Sequence, residues 1–541
     1  MANFVSRRQF LQGSALAASG VAAMSLVGCG GSSDDGGDKK KVFRFGQANS
    51  KEGLDMQKST NSKSSTAIDH VVETPLRFTE DNELIPCMLK EVPTVESDGV
   101  TYKCELNEGM KWHDGTEVKA SDIKYTFERM FDPATGAKST YMYDMIKGAK
   151  EKLAGTASEI EGIVVEDDTH ITFTLTEPFA CFTKNIGINY ASIYPEAGLK
   201  KFGDKWGTGT DIYGCGPYKL VSNDDSTELT YEPFEDYYGE KDKLDKIIIK
   251  YIDDENTKMM SFKNGEIDMC DLNATLLKQY KEDADVKDLI NQYGPLGVTF
   301  VNLNLKNKYL ADKRVRQALS LAINRQELVD TVMNGAGTVA SGWLNPKTPG
   351  FDDSAEAFPY DVDKAKALLK EAGVDGFSLT CGVRAADQPV MVAIQDYWKK
   401  IGVDLKVNVQ DAAKWSADWA AGSLEVTELS WHPLYADGDN HMYTYFYSEN
   451  AKGKSSFYNN PEFDKLMDEA RGSTDEDKRV ELYKKADDIL TRQDYATLPL
   501  FYPKFQFVAK DYVKNAKVGN LIYHMRDIDV DTSADYDAGE A

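Results

Sequence analysis

Hydrophobic and polar positions along the chain change their period near residue 293. Before that point, short apolar alternations predict strands at 42–46, 160–165, 171–175, 229–231 and 247–251. A hairpin is predicted from 90–95 and 102–106 around a Ser97-Asp98-Gly99 turn, and Ser121 is expected to cap a helix. This first stretch is therefore rich in strands.

From residue 299 to about 495, strand-like and helix-like patterns alternate. Strands are predicted at 299–305, 377–380, 404–409 and 425–431, and helices at 313–334, 363–372, 389–401, 461–471 and 475–493. Gly373 stands where a C′ glycine would end the second helix. This alternation predicts a second α/β lobe with a mixed sheet.

Two α/β lobes that are joined by short crossovers predict a cleft between them. The crossovers are expected near 293–298 and 500–507. Ligands commonly bind at such interfaces, and hinged lobes close around them.

The first 29 residues have the order of an export signal. Arg7 and Arg8 are followed by an apolar run of about 15 residues, too short and too rich in Gly, Ala and Ser for a comfortable membrane span. Leu26-Val27-Gly28-Cys29 resembles the lipobox of bacterial lipoproteins, in which the cysteine thiol carries a lipid. An ordinary apolar N-terminus with a chance cysteine is the alternative. Residues 30–41 are expected to be a flexible tether that reaches roughly 20 Å.

Charge and cysteine content narrow the classes of function. With 88 Asp and Glu against 63 Lys and Arg, the net charge of −25 argues against nucleic acid and against broad adhesion to anionic lipid. The six cysteines after Cys29 form no C-x-x-C pair, which disfavours zinc. Cys87 and Cys104 flank the predicted hairpin and are the best candidates for a disulfide, and six buried free thiols are the alternative.

Residues 102–133, which read YKCELNEGMKWHDGTEVKASDIKYTFERMFDP, resemble the signature of the peptide/nickel class of bacterial extracellular solute-binding proteins. Further segments resemble elements of the same class: Gly214-Cys215-Gly216-Pro217-Tyr218, 262–268, 302–324 and 458–466. The resemblance covers residues 42–525. It implies a two-lobed α/β fold like that of type II periplasmic binding proteins, with an extra subdomain in lobe one. The implied domains are lobe one at 42–295 with a subdomain at about 83–212, lobe two at 296–503, and a return to lobe one with a C-terminal tail at 504–541.

The resemblance also implies a function. The chain is expected to be the non-enzymatic substrate-binding lipoprotein of an ATP-binding cassette importer, which captures peptides between its lobes and delivers them to a membrane permease. It is expected to be a monomer, lipid-anchored through Cys29 to the outer face of the cytoplasmic membrane or periplasmic, with no cofactor and no nucleic acid. A non-peptide ligand (a nickel chelate, opine or glycoside) is the first alternative, and an extracellular hydrolase is the second.

Residues 430–440 are expected to contain ligand contacts. In peptide-binding members, an Asp in the corresponding stretch receives the α-ammonium of the peptide, and in this chain Leu434 stands at that position. Either Asp437 replaces that anchor or the ligand has no free α-ammonium there. Trp431 is predicted to be an aromatic wall of the cleft, with core packing as the alternative. Tyr435 and Asp439 complete the predicted contacts in this stretch.

Other candidate contacts lie elsewhere in lobe two. Arg384 is predicted to meet a ligand carboxylate, since Arg pairs with carboxylates in bidentate fashion, and an exposed surface role is the alternative. Asn302, with Asn304, is predicted to line the cleft near the crossover, with packing at a strand end as the alternative.

Histidines raise two further hypotheses. His113-Asp114-Gly115 is interpreted as a tight turn rather than a catalytic His–Asp pair, because Asp-Gly is a strong turn signal. His70, His432 and His441 have no spacing typical of a metal site, so no metal is expected.

Overall fold

Two large mixed β-sheets organise the chain in the computed structural model, which describes residues 39–224, 226–240, 243–533 and 536. The export signal, Cys29 and nearly all of the predicted tether therefore lie outside the described residues. The strands up to residue 293 are β1 (Val42–Gln47), β2 (Leu76–Phe78), β3 (Leu84–Pro86), β4 (Thr101–Glu105), β5 (Ile163–Val165), β6 (His170–Thr174), β7 (Tyr218–Asp224), β8 (Glu228–Pro233), β9 (Lys246–Tyr251), β10 (Met269–Leu272) and β11 (Ile290–Tyr293). The later strands are β12 (Val298–Leu303), β13 (Gly337–Val339), β14 (Phe377–Arg384), β15 (Val403–Gln410), β16 (Val426–Trp431), β17 (Thr497–Pro503), β18 (Phe505–Ala509), β19 (Val513–Lys514) and β20 (Asp529–Val530).

Helices cover the sheets. They are α1 (Ser62–Ile68), α2 (Ala120–Met130), α3 (Ala149–Leu153), α4 (Phe182–Asn185), α5 (Glu196–Phe202), α6 (Glu255–Lys263), α7 (Ala274–Tyr280), α8 (Lys313–Leu321), α9 (Arg325–Glu327), α10 (Val362–Glu371), α11 (Gln388–Lys399), α12 (Ala412–Ala420), α13 (Thr444–Phe446), α14 (Ser448–Ala451), α15 (Pro461–Arg471) and α16 (Glu476–Asp488). Single π-helical turns occur at Leu328–Val332, Asp439–Tyr443 and Ile489–Gln493. No helix of the described residues has both the length and the apolar character needed to cross a membrane.

The first lobe surrounds a seven-stranded sheet in the order β11-β18-β10-β1-β9-β8-β7. At its centre, β1 runs parallel to both β9 and β10, and all six of its residues are buried. The second lobe surrounds a six-stranded sheet in the order β13-β17-β12-β16-β14-β15, in which β12 is also buried along its whole length. Both central strands read as continuous apolar-rich runs because both of their faces are covered. This is the two-lobed type II periplasmic binding fold that the sequence predicts.

The chain crosses between the sheets twice. Residues 294–297 connect β11 of the first sheet to β12 of the second, and Lys504 alone connects β17 to β18 on the way back. Because these connections are short, any change in the angle between the lobes must come from a few backbone dihedrals.

A separate three-stranded sheet, β4-β6-β5, lies with α2–α4 between β3 and β7. We call this part of the first lobe the inserted subdomain; its own apolar core includes Trp112, Phe127 and Phe182. Gly214 and Gly216 follow it and lie against the backbone of Val71, where a Cβ atom would collide. The close approach explains the paired glycines of that turn.

Several local predictions need correction. The helix predicted at 313–334 is interrupted after Leu321, because the Asn324 side chain accepts a hydrogen bond from the Glu327 N–H and begins a new helix. Ser121 does not cap α2; the Asp122 carboxylate accepts from the Lys119 N–H one turn earlier. The hairpin is reduced to single bridges at Leu89–Leu106 and Val95–Tyr102, since β4 pairs with β6 instead.

The predicted Cys87–Cys104 disulfide is also wrong. All six cysteines of the described residues are buried free thiols, as in the alternative interpretation. The Cys87 Sγ lies 2.7 Å from Oε2 of Glu73. Burial, with the Glu73 carboxylate next in importance, raises the pKa of the Cys87 thiol well above its usual value, so it stays protonated and unreactive at neutral pH.

Candidate functional site

A cavity of about 1040 Å³ lies between the two lobes. Its first-lobe wall comes from residues 60–82, from 187–192 after α4, and from 520–526 near the C-terminus. Its second-lobe wall is the loop of His432, Pro433 and Leu434, which directly follows β16. Both lobes contribute to this cavity, and ligand pockets commonly lie at such interfaces.

A second cavity of about 1020 Å³ lies beside the crossovers. It is lined by ends of β1 and β10, by residues 503–506, and by Tyr293 and Tyr523. Ser62 and Leu521 line both cavities, so the two spaces adjoin. Together they define what we call the cleft.

Carboxylates in the wall of the first cavity have partners within the protein, a histidine and an arginine. Asp69 Oδ2 lies 3.0 Å from Nδ1 of His524, and Glu73 Oε1 accepts a hydrogen bond from Arg526 at 3.1 Å. Burial would raise the pKa of Asp69, but His524 and Arg526 outweigh it and hold that pKa well below its usual value. Arg77 lines the same cavity from β2, is half-buried, and has no hydrogen-bonding or ion-pair partner among the described residues.

Of the predicted contacts, Leu434 lies in the cavity wall. Its position is set by the backbone: the Leu434 N–H donates to Oδ1 of Asn440 at 2.7 Å. The next residue, Tyr435, is buried in the core of the inserted subdomain and stacks on Phe78. The loop after β16 therefore reaches across from the second lobe to the first.

Asp437 and Asp439 are buried, do not line either cavity, and are neutralised by internal cations. Asp437 accepts from Arg479 at 2.8 Å and from Lys184 of the inserted subdomain at 2.5 Å, while Asp439 accepts from Arg471 at 2.7 Å. Burial opposes ionisation of Asp437, but Lys184 and Arg479 together lower its pKa well below the usual value. Both carboxylates have the environment of structural ion pairs.

Trp431 and Asn302 pack inside the second lobe, outside the linings of both cavities. The Trp431 ring stands edge-on to Tyr445 at 5.2 Å, and its Nε1 donates to the Asn440 carbonyl at 3.3 Å. Asn302 is buried and donates to the carbonyls of residues 454 and 455 at 3.2 Å. The Asn304 side chain likewise donates hydrogen bonds to the carbonyls of residues 422 and 424.

Arg384, at the end of β14, is engaged by its own lobe. Its Nε donates to Asp387 at 2.5 Å, and the guanidinium lies over the Trp415 ring at 4.6 Å. It does not line either cavity. A ligand-contact role for Arg384, Trp431, Asp437, Asp439 and Asn302 thus stays a prediction, and the structure brings none of these five to the cleft wall.

The ionic residues that do line the cleft were not selected from the sequence. Asp69, Glu73, Arg77, His524 and Arg526 belong to no motif, and Arg526 is 453 residues from Glu73. Among these five residues, only Arg77 stands out locally in the sequence, because it is a charged residue between the apolar residues of the strand Leu76–Phe78.

His113 and Asp114 have separate structural partners. His113 Nε2 bonds with the Gly216 carbonyl at 2.8 Å, whereas Asp114 accepts from Tyr213 and Thr116, so the two side chains face different partners. Within the described residues, no three His, Cys, Asp or Glu side chains gather closely enough to hold a metal ion.

The chain is similar to known proteins in both sequence and structure. Residues 83–453 match the family described as bacterial extracellular solute-binding proteins, family 5 middle. The chain is 30% identical over 470 residues to the dipeptide-binding protein of Escherichia coli strain K12, covering 82% of this chain and 85% of that protein. It is 29% identical to heme-binding protein A of Haemophilus influenzae, covering 80% and 81%. The structure of the ABC transporter-associated periplasmic binding protein DppA from Helicobacter pylori in complex with peptide STSA superposes with a TM-score of 0.76 at 25% identity, covering 90% of this chain and 98% of that one.

Proposed function

This chain belongs to family 5 of the bacterial extracellular solute-binding proteins, and we propose that it is a non-enzymatic receptor that captures peptides in the cleft between its lobes. The cavity of about 1040 Å³ with walls from both lobes is the observation that carries the proposal. A wall that is shared between two hinged lobes couples ligand binding to their closure. The name of the Escherichia coli relative, a dipeptide-binding protein, supports peptides as the ligand class.

The proposed receptor works with an ATP-driven permease in the cytoplasmic membrane. It is exported through its twin-arginine signal, held at the outer face by lipid on Cys29, and acts as a monomer. A short tether raises the concentration of the receptor near its permease. Leu434 is the ligand contact that the geometry supports best, since it stands in the cavity wall.

Thermal unfolding with a library of di- to pentapeptides tests the peptide assignment. A ligand at 100 times its Kd stabilises the folded state by about 2.7 kcal/mol, so a matching peptide should raise the Tm by about 2–3 °C. Leu434→Trp, which places a larger side chain in the cavity wall, should reduce the shift. Leu153→Trp replaces a leucine that is exposed elsewhere on the first lobe and should leave it intact. A library without any active member would contradict the proposal.

A non-peptide ligand is the second candidate, because one similar protein is named heme-binding protein A. Native mass spectrometry of the protein purified from its own host separates the two. A retained mass that fragments into amino acids supports the peptide receptor, and any other retained mass supports the alternative.

A further inference from the structure

The cleft differs in charge from the rest of the molecule. The chain carries a net charge of −25. Yet the carboxylates in the two cavity linings, Asp69, Glu73 and Asp271, each have a partner within the protein. Asp69 is hydrogen-bonded to His524 and lies 3.9 Å from Arg526, Glu73 pairs with Arg526, and Asp271 pairs with Lys258.

Cations of the cleft are in the opposite situation. Arg77 in the first cavity, and Lys63 and Lys504 in the second, are half-buried and have no carboxylate within ion-pair distance among the described residues. A partly desolvated cation is costly unless an anion pairs with it. The cleft is therefore prepared for negative charge on its ligand.

Arg77 is the residue best placed to receive that charge. It lies on β2 in the same lining as Phe78 and Leu434, so an apolar surface borders its guanidinium. A guanidinium presents parallel N–H donors that match the two oxygens of a carboxylate, and exclusion of water strengthens the pair.

The carboxylates in the same space that an ammonium group could meet, Asp69, Glu73 and Asp271, already have partners within the protein. Leu434 offers methyl groups to the cavity, while Asp437 and Asp439 lie outside both linings and pair with Lys184, Arg479 and Arg471. Burying an ammonium against this wall would leave its charge unpaired.

We propose that the cleft selects carboxylate-bearing peptides whose amino end is blocked, for example by acylation or cyclisation, with Arg77 receiving the carboxylate beside Leu434. This inference rests on the proposed peptide-receptor function and names the chemical class of its ligand.

Four pools of mixed-sequence tripeptides test the inference on the full chain by competitive native mass spectrometry: N-acetylated acids, free-amine acids, N-acetylated amides and free-amine amides. The N-acetylated acids should be enriched in complexes at least about tenfold over each other pool, which corresponds to about 1.4 kcal/mol. Arg77→Gln should remove the preference for acids over amides, and Arg77→Lys should retain part of it. Arg314→Gln, a surface arginine on α8 that pairs with Asp312, is the matched control and should bind like the wild type.

The outcomes are distinguishable. If free-amine acids bind as well as or better than N-acetylated acids, the inference is overturned while the peptide receptor stands. If Arg77→Gln keeps the acid preference with an unchanged Tm, the assignment of Arg77 is overturned. If no pool binds, both the inference and the proposed function fail.

Discussion

Lys184 of the inserted subdomain donates a hydrogen bond to Asp437 of the second lobe, with 2.5 Å between Nζ and Oδ2. Asp437 also accepts from Arg479 of its own lobe, and the Arg479 and Asp437 side chains are 1% exposed. Both chain segments continue into the cavity wall, at 187–192 after Lys184 and at 432–434 before Asp437. This interlobe ion pair therefore joins the lobes beside the cavity, in addition to the two crossovers.

Lys184→Met should weaken the contact between the lobes without unfolding either of them. Asp437 keeps Arg479 as a partner, so the loss is that of one charge-assisted hydrogen bond, about 1.5–3 kcal/mol. We expect faster ligand dissociation and a larger radius of gyration by small-angle X-ray scattering. Lys124→Met, which removes an exposed ion pair on α2, is the control. Identical scattering and dissociation rates for Lys184→Met and wild type would exclude a role for the pair in closure.

Asp437→Asn should cost far more stability, because it removes the buried carboxylate that Lys184 and Arg479 share, and Arg479 keeps an ion pair with the exposed Glu476. Breaking a buried pair in this way typically costs about 3–5 kcal/mol, measurable by urea unfolding. Asp418→Asn, which breaks the exposed pair with Lys414, should stay within about 1 kcal/mol of the wild type. The pKa of Asp437 is lowered on folding, so its contribution is present above its unfolded pKa near 4 and is lost as the pH falls further. Equal effects of the two variants would contradict this account.

Stability should fall between pH 7 and pH 5 because of buried neutral histidines. Burial lowers the pKa of His70 to about 3 and that of His441 to about 3, against 6.5 in the unfolded chain. Between these values the unfolded state binds more protons, so stability is lost as the pH falls from about 6.5 toward 3, by about 2 kcal/mol per histidine at pH 5.

Histidine variants test which residue causes the pH dependence of the unfolding free energy. His70 packs between Tyr218 and Tyr231, and neither ring nitrogen has a hydrogen-bond partner among the described residues. His70→Phe should remove the His70 part of this loss, about 2 kcal/mol between pH 7 and 5, and leave the part that comes from His441. His170→Gln, at an exposed position, should leave the slope nearly unchanged. A wild-type unfolding free energy that is constant from pH 7 to 5 would refute the prediction.

Leu434→Asp should shift ligand preference toward free-amine peptides. The new carboxylate would lie in the cavity wall, where the carboxylates of the described residues already have partners. It would therefore be available to pair with the ammonium group of a ligand. We expect at least about a tenfold gain in affinity for free-amine over N-acetylated peptides by calorimetry. Leu434→Asn, similar in size and uncharged, is the control. If the Asp variant behaves like the Asn variant, the ammonium group of the ligand does not lie beside residue 434.

Cys29→Ser should release the protein from membranes. Without the thiol no lipid is attached, and the anchoring free energy of about 0.8 kcal/mol per buried methylene is lost. Fractionation of cells should move the protein from the membrane pellet to the soluble extracytoplasmic fraction, while Cys381→Ser, at a buried thiol of the second lobe, should stay in the pellet. Continued pelleting of Cys29→Ser would argue against lipid attachment at this cysteine.

Local elements could be predicted wherever a few neighbouring residues contain the whole signal. Helix α15 begins at Pro461 and ends at Arg471 as predicted, since Asn460 caps it and its apolar positions repeat with the helical period. The break after Leu321 was missed because the apolar pattern continues through Asn324, whose side chain can either extend a helix surface or cap a new helix.

The sequence by itself determined the two α/β lobes and the family, because periodicity and motifs lie in consecutive residues. Only the tertiary structure decided which charges face the cleft. Arg526 meets Glu73 across 453 residues, Lys184 meets Asp437 across 253, and the Arg77 side chain forms no hydrogen bond or ion pair with the described residues. Whether a charge is paired depends on distances of a few ångströms between segments far apart in the chain, and no local pattern encodes those distances.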